Sequence, residues 1–124
     1  MQKKKIMIVD DDKDFLAELK EILNSIGYSI VESSNSLDVL SMAKRINPDI
    51  ILLDLNMQDR HGIEVAEELK STAATAHIPI IAMSGFYSEE HLAMLIRLCG
   101  IGTYIVKPFK PKDIIVKIED ELKK

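Results

Sequence analysis

Five short apolar runs punctuate this chain, and between them the apolar residues switch from consecutive to helical spacing. The runs are residues 5 to 10, "YSIVES", "DIILLDL", "IPIIAMS" and "TYIVKPF". Residues 14 to 26 place Phe15, Leu16, Leu19, Ile22, Leu23 and Ile26 on one helical stripe, which Gly27 ends. Residues 36 to 47 do the same with Leu37, Leu40, Ala43 and Ile46, between Ser36 as N-cap and Pro48. A short helix over 62 to 71 turns Ile63, Ala66 and Leu69 inward. Ser88 caps a helix over 89 to 99 that uses Leu92, Leu95, Ile96 and Cys99 and stops at Gly100. Residues 112 to 123 present Ile114, Ile115, Ile118 and Leu122. The order is (βα)₅. Strands with no polar alternation must be covered on both faces, which predicts an α/β fold: a doubly wound parallel sheet with helices on both sides. Ligands of such sheets bind outside the C-terminal strand ends, so those ends are where the chemistry is to be sought.

With 124 residues, 47% of them apolar, the chain is the size of one domain, expected to span 1–124. A net charge of −4 argues against a broad basic nucleic-acid surface, and Lys3-Lys4-Lys5 reads as a solvated lead-in to the first strand. The single cysteine, Cys99, excludes an intrachain disulfide and a cysteine-based metal site. No apolar stretch has membrane-spanning length and no signal-peptide pattern follows the basic start, so a cytoplasmic protein is expected.

Four of the strand ends carry reactive side chains. The first ends in Asp10-Asp11-Asp12, the third in Asp54 followed by Leu55, Asn56 and Met57, the fourth in Ser84-Gly85, and the fifth in Lys107-Pro108-Phe109. Adjacent carboxylates repel one another, and a cluster of them is tolerable where a cation sits among them. Hard oxygen donors without histidine or cysteine suit Mg²⁺, with Mn²⁺ as an alternative. Asp54 could attack phosphorus to give an aspartyl phosphate, with Lys107 and the Ser84 hydroxyl as donors to the transferring group. Gly85 leaves a backbone N–H open beside Ser84. His61, His77 and His91 are scattered without ligand-like spacing and read as exposed.

In order and spacing, "IMIVDDD", "ILLDLNM", "MSG" and "YIVKPF" resemble the signature segments of the bacterial response-regulator receiver domain, the chemotaxis-type phosphoacceptor, over residues 6 to about 122. The resemblance implies a flavodoxin-like sheet with strand order 2-1-3-4-5. It implies that Asp54 is phosphorylated by a histidine kinase or a histidine phosphotransfer protein. Asp10 and Asp11 would hold Mg²⁺, joined by Asp54 and the backbone carbonyl of Asn56. Ser84 would be the hydroxyl that swings toward the phosphoryl group, Tyr104 the coupled aromatic rotamer, and Lys107 the phosphate-contacting lysine. The surface of the fourth helix, fifth strand and fifth helix would then face an output partner or effector domain. Three positions depart from the family pattern or border its tuning sites. Gln58 stands where proline is usual, Arg60-His61-Gly62 where Met-Asp-Gly is frequent, and Phe86 near where phosphoryl lifetime is tuned. Asp12 reads as a neighbour that adds negative potential.

A second reading is a small Mg²⁺-dependent phosphatase with an aspartate nucleophile. Such enzymes use a second aspartate two residues on as general acid, and this chain has Asn56 there, with no extra segment to form a substrate cap. A switch that modifies only itself is therefore favoured over an enzyme. Asp113 and Lys117, four apart, match in charge a pair found in receivers that dimerise through their last helix, and equally an ordinary helical i,i+4 pair. Whether the domain stands alone or was cut from a longer protein stays open.

Overall fold

The computed structural model describes residues 3–57, 61–85 and 87–124. Its strands are β1 (Lys5–Val9), β2 (Ser29–Ser33), β3 (Ile50–Asp54), β4 (Ile80–Ser84) and β5 (Thr103–Val106). The helices are α1 (Lys13–Ser25), α2 (Val39–Ile46), α3 (Gly62–Ser71), α4 (Glu89–Cys99) and α5 (Pro111–Leu122). All strand pairings are parallel, in the order β2-β1-β3-β4-β5. The expected doubly wound sheet and its 2-1-3-4-5 order are therefore observed.

The continuous apolar runs are explained by burial on both faces. Ile6, Ile8, Ile50, Leu52, Ile81, Met83 and Ile105 point to one side, where they pack with Leu16, Leu19, Leu23, Ile114 and Ile118 of α1 and α5. Met7, Val9, Ile51, Leu53, Ile80 and Ala82 point to the other, against α2, α3 and α4 through Val39, Ala43, Val65, Ala66, Leu69 and Leu92. Successive residues of one strand thus feed two cores, the period-two rule applied twice.

Helix ends follow local chemistry. Asn47 and Gly100 close α2 and α4 in the left-handed region, at φ 50° and 72°, which asparagine and glycine tolerate best. Ser88 caps α4 as read, accepting from the His91 N–H. Five expectations are corrected. The first strand stops at Val9 and the fifth at Val106, so Asp10 and Lys107 stand just beyond their strands. Ser36 is not a cap: Asn35 accepts from the Leu37 N–H and opens a short 3₁₀ turn, Ser36–Asp38, before α2. That turn rotates Leu37 out to 70% exposure, and Ile26, which caps α1 rather than continuing it, is 49% exposed. Gln58, Arg60 and Phe86 lie outside the described residues.

Candidate functional site

The reversal of strand order falls between β1 and β3, which run side by side with Val9 opposite Leu53. The next residues of the two strands, Asp10 and Asp54, are therefore neighbours at the C-terminal edge, where a doubly wound sheet opens a crevice. A cleft of about 320 Å³ lies there, lined by Asp10, Asp11, Asp12, Asp54, Asn56, Gly85 and Lys107. Carboxylate oxygens of Asp10, Asp11 and Asp54 all lie within 4.8 Å of one another. Asp10 is fully buried and Asp54 is 5% exposed.

Two of these carboxylates are held by the backbone two residues on. Asp10 Oδ1 accepts from the Asp12 N–H at 3.0 Å, and Asp54 Oδ1 accepts from the Asn56 N–H at 3.2 Å. Lys107, one residue past β5, reaches across to Asp10 Oδ2 at 2.6 Å and lies 3.9 Å from Asp54 Oδ1. One ammonium therefore faces two buried carboxylates, with Asp11 beside them. Burial, and next the Asp10 charge, push the Asp54 carboxyl up to about 6, against the pull of Lys107 and the Asn56 N–H. A group in that state favours whatever brings positive charge into the cleft. The donor set is all hard oxygen, so it is suited to Mg²⁺ rather than to a soft metal.

Ser84 ends β4, next to β3 and fully buried. Its hydroxyl donates to Asn56 Oδ1 at 2.8 Å, across the gap between the two strand ends. Asn56 also bridges to His61, closing the base of the loop between β3 and α3. That loop requires Gly62. A Cβ there would lie 2.4 Å from the Asp54 carbonyl oxygen and 2.5 Å from Leu55 Cα, so α3 can start this close to the end of β3 only on glycine.

Tyr104 lies apart from the cleft, half-buried on β5. With Glu89, Pro108, Asp113, Val116 and Lys117 it lines a separate groove of about 590 Å³ between α4, β5 and α5. Lys117 Nζ sits 5.9 Å from the centroid of its ring. The structure thus brings together Asp10, Asp11, Asp54, Asn56 and Lys107, places Ser84 behind Asn56, and puts Tyr104 on another surface.

Two residues carry more than sequence reasoning gave them. Asp12 is the N-cap of α1, its carboxylate accepting from the N–H groups of Asp14 and Phe15 at 3.1 Å each. An aspartate directly before an apolar-periodic segment was the available signal. Phe15 lies with its ring face 4.2 Å from Lys107 Nζ, a contact across the fold that no local spacing announces.

A family model described as "Response regulator receiver domain" matches residues 6–119. The polar-differentiation response regulator DivK of Brucella anthropi is 32% identical over 122 residues, covering 96% of each chain. The probable transcriptional regulator ycf27 of Porphyridium aerugineum is 32% identical over 124 residues, and this chain spans 50% of its length. Among solved structures, a CheY-like response regulator receiver domain protein from Methanospirillum hungatei superposes with a TM-score of 0.90 at 28% identity, covering 98% of this chain and 95% of its own. A response regulator from Chloroflexus aurantiacus gives 0.91 at 20% identity, covering 99% and 100%, a likeness of fold alone.

Proposed function

The chain belongs to the response regulator receiver domain family, and on that premise we propose that it is a phosphorylation-controlled switch whose acceptor is Asp54. The observation that carries this reading is the placement of Asp54 beside two further carboxylates and one ammonium, in the lining of a cleft at the C-terminal edge of the sheet. In the proposed step an Asp54 carboxylate oxygen attacks phosphorus. A bond forms between that oxygen and phosphorus. The bond from phosphorus to the donor's leaving group breaks, and the leaving group takes the electron pair and a proton from solvent. The donor is a histidine kinase or a histidine phosphotransfer protein.

Asp10, Asp11, Asp54 and the Asn56 carbonyl would hold Mg²⁺. When bound, Mg²⁺ supplies the positive charge that offsets repulsion between a carboxylate and an incoming phosphoryl group. Lys107 contributes an ammonium that can turn from Asp10 toward phosphoryl oxygens. Ser84 contributes a hydroxyl that, leaving Asn56, can donate to them. Because the acceptor is its own side chain, the protein is modified rather than turning over a separate substrate. No described helix is long and apolar enough to cross a membrane. Cytoplasmic action is part of the same proposal.

A ligand shifts a two-state equilibrium only by its differential affinity. The Ser84 hydroxyl provides that difference if it reaches the phosphoryl group in one state only. Tyr104 and the groove between α4, β5 and α5 are then the surface that an output partner or effector domain reads. Addition of beryllofluoride, a phosphoryl mimic, with Mg²⁺ tests this by NMR. Amide shifts should move at Asp54, Ser84 and Lys107 and extend through residues 88 to 99 and 104 to 118. Shifts confined to the cleft would remove the output half of the reading.

A further inference from the structure

We propose that Phe15 is a positioning residue for Lys107, holding its ammonium over the acceptor cleft by a cation–π contact. The proposal rests on the phosphoacceptor reading of Asp54. Lys107 Nζ is shared among three partners: Asp10 Oδ2 at 2.6 Å, Asp54 Oδ1 at 3.9 Å and the Phe15 ring centroid at 4.2 Å. The first two are the groups that a bound cation and a phosphoryl group would engage. Once their charge is compensated, an ammonium on a flexible four-carbon stem loses its reason to stay, and the Lys107 side chain already has 23% exposure. The face of an aromatic ring attracts the ammonium through its quadrupole. It carries no charge to be compensated and no proton to exchange, so its pull persists whatever fills the cleft.

The ring is itself fixed from two sides. Phe15 occupies the first turn of α1, and its N–H is bonded to the capping carboxylate of Asp12 at 3.1 Å. The Phe109 ring meets it at 86° with centroids 5.8 Å apart. Phe109 lies two residues beyond Lys107, so the aromatic pair ties the lysine's own loop to α1. Asp12, Phe15 and Phe109 thus form a frame that points one ammonium at the cleft.

Mere packing of Phe15 against Phe109 would give the same apolar contact without any effect on Lys107, and conservative variants separate the two. Phe15→Leu keeps apolar volume and removes the ring face. Phe15→Tyr keeps the ring face. The full chain is incubated with acetyl phosphate and saturating Mg²⁺, and the labelling rate is measured well below the unfolding temperature. Phe15→Leu should label about two- to thirtyfold more slowly, the range of a cation–π contact between exposed and desolvated settings, and Phe15→Tyr should restore the rate. In parallel, the Lys107 Hε resonances are recorded in metal-free protein. They should be displaced upfield by the ring in wild type and Phe15→Tyr, and return toward free lysine in Phe15→Leu. Unchanged labelling in Phe15→Leu overturns the proposal, and so does slower labelling with unmoved Lys107 resonances, which would mark a structural defect. Absence of labelling in wild type would refute the acceptor reading instead, and the resonances would still decide whether the ring holds the lysine.

Discussion

Lys107 and Asp10 are joined at 2.6 Å, a contact between residues 97 positions apart. The ammonium proposed to face phosphate and the carboxylate proposed to face the metal hold each other. The ammonium both occupies Asp10 Oδ2 and repels an incoming divalent cation. Lys107→Met should therefore tighten Mg²⁺ binding by about three- to tenfold, the scale of one opposing charge removed from a partly buried cleft. Calorimetric titration of both proteins checks this. Unchanged or weaker binding in the variant would show that the pair does not oppose the metal.

The raised Asp54 carboxyl makes a signed prediction about pH. Its ordinary value is 3.8 and its folded value is about 6. Between those values the folded protein holds more protons than the unfolded chain, so stability falls as pH rises from about 4 to about 6. The loss is complete above the folded value. Asp54→Asn removes the charge and should exceed wild type in metal-free stability at pH 7 by about 1–2 kcal/mol, a figure reduced from the full shift because water in the open cleft screens the charge. At pH 4 the two should nearly coincide. Denaturant unfolding in chelator across this range is the measurement, and a difference that does not vary with pH would be the contrary result.

What the sequence disclosed and what it hid divide along the range of the interactions. The two-faced burial of "ILLD" is a property of consecutive residues, so the strand and its parallel setting were readable from them. The rule that ligands sit at strand ends then singles out Asp10, Asp54, Ser84 and Lys107 from the sequence alone. Leu37 and Ile26 were misplaced because helical spacing does not reveal where a 3₁₀ turn or an early cap shifts the phase. The pairing of Lys107 with Asp10 and with the Phe15 ring depends on how β1 and β5 are brought to one edge, which no local pattern encodes. Asp12 was legible as a cap, and the acidic cluster around it drew attention to its charge instead.

Asp12 should accordingly behave as a structural residue with a functional consequence. Asp12→Ala leaves two N–H groups of α1 without their acceptor and should cost about 1 kcal/mol of stability. Asp12→Asn keeps an oxygen acceptor and should recover most of it. Paired denaturation curves check the order. Equal losses in both variants would show that charge, not capping, is what Asp12 supplies.

The Ser84 hydroxyl donates to Asn56 Oδ1 at 2.8 Å, a bond it must give up in the proposed switch to reach a phosphoryl group on Asp54. Asn56→Ala removes the side-chain acceptor while leaving the backbone carbonyl in place. The hydroxyl then leaves a weaker set of partners when it moves, and the active state becomes easier to reach. Beryllofluoride with Mg²⁺ should bind the variant about three- to tenfold more tightly, matching the net worth of one hydrogen bond. Weaker binding in Asn56→Ala would mean that the amide supports the active state.

The most direct measurement is the site of phosphoryl transfer itself. Wild type and Asp54→Asn are incubated with acetyl phosphate and Mg²⁺, and intact masses are recorded with and without chelator. Wild type should gain one phosphoryl group, only with the metal present, and lose it on brief hydroxylamine treatment as an acyl phosphate does. Asp54→Asn should gain none. Equal labelling of the two proteins, or labelling of wild type that survives hydroxylamine, would contradict Asp54 as the acceptor.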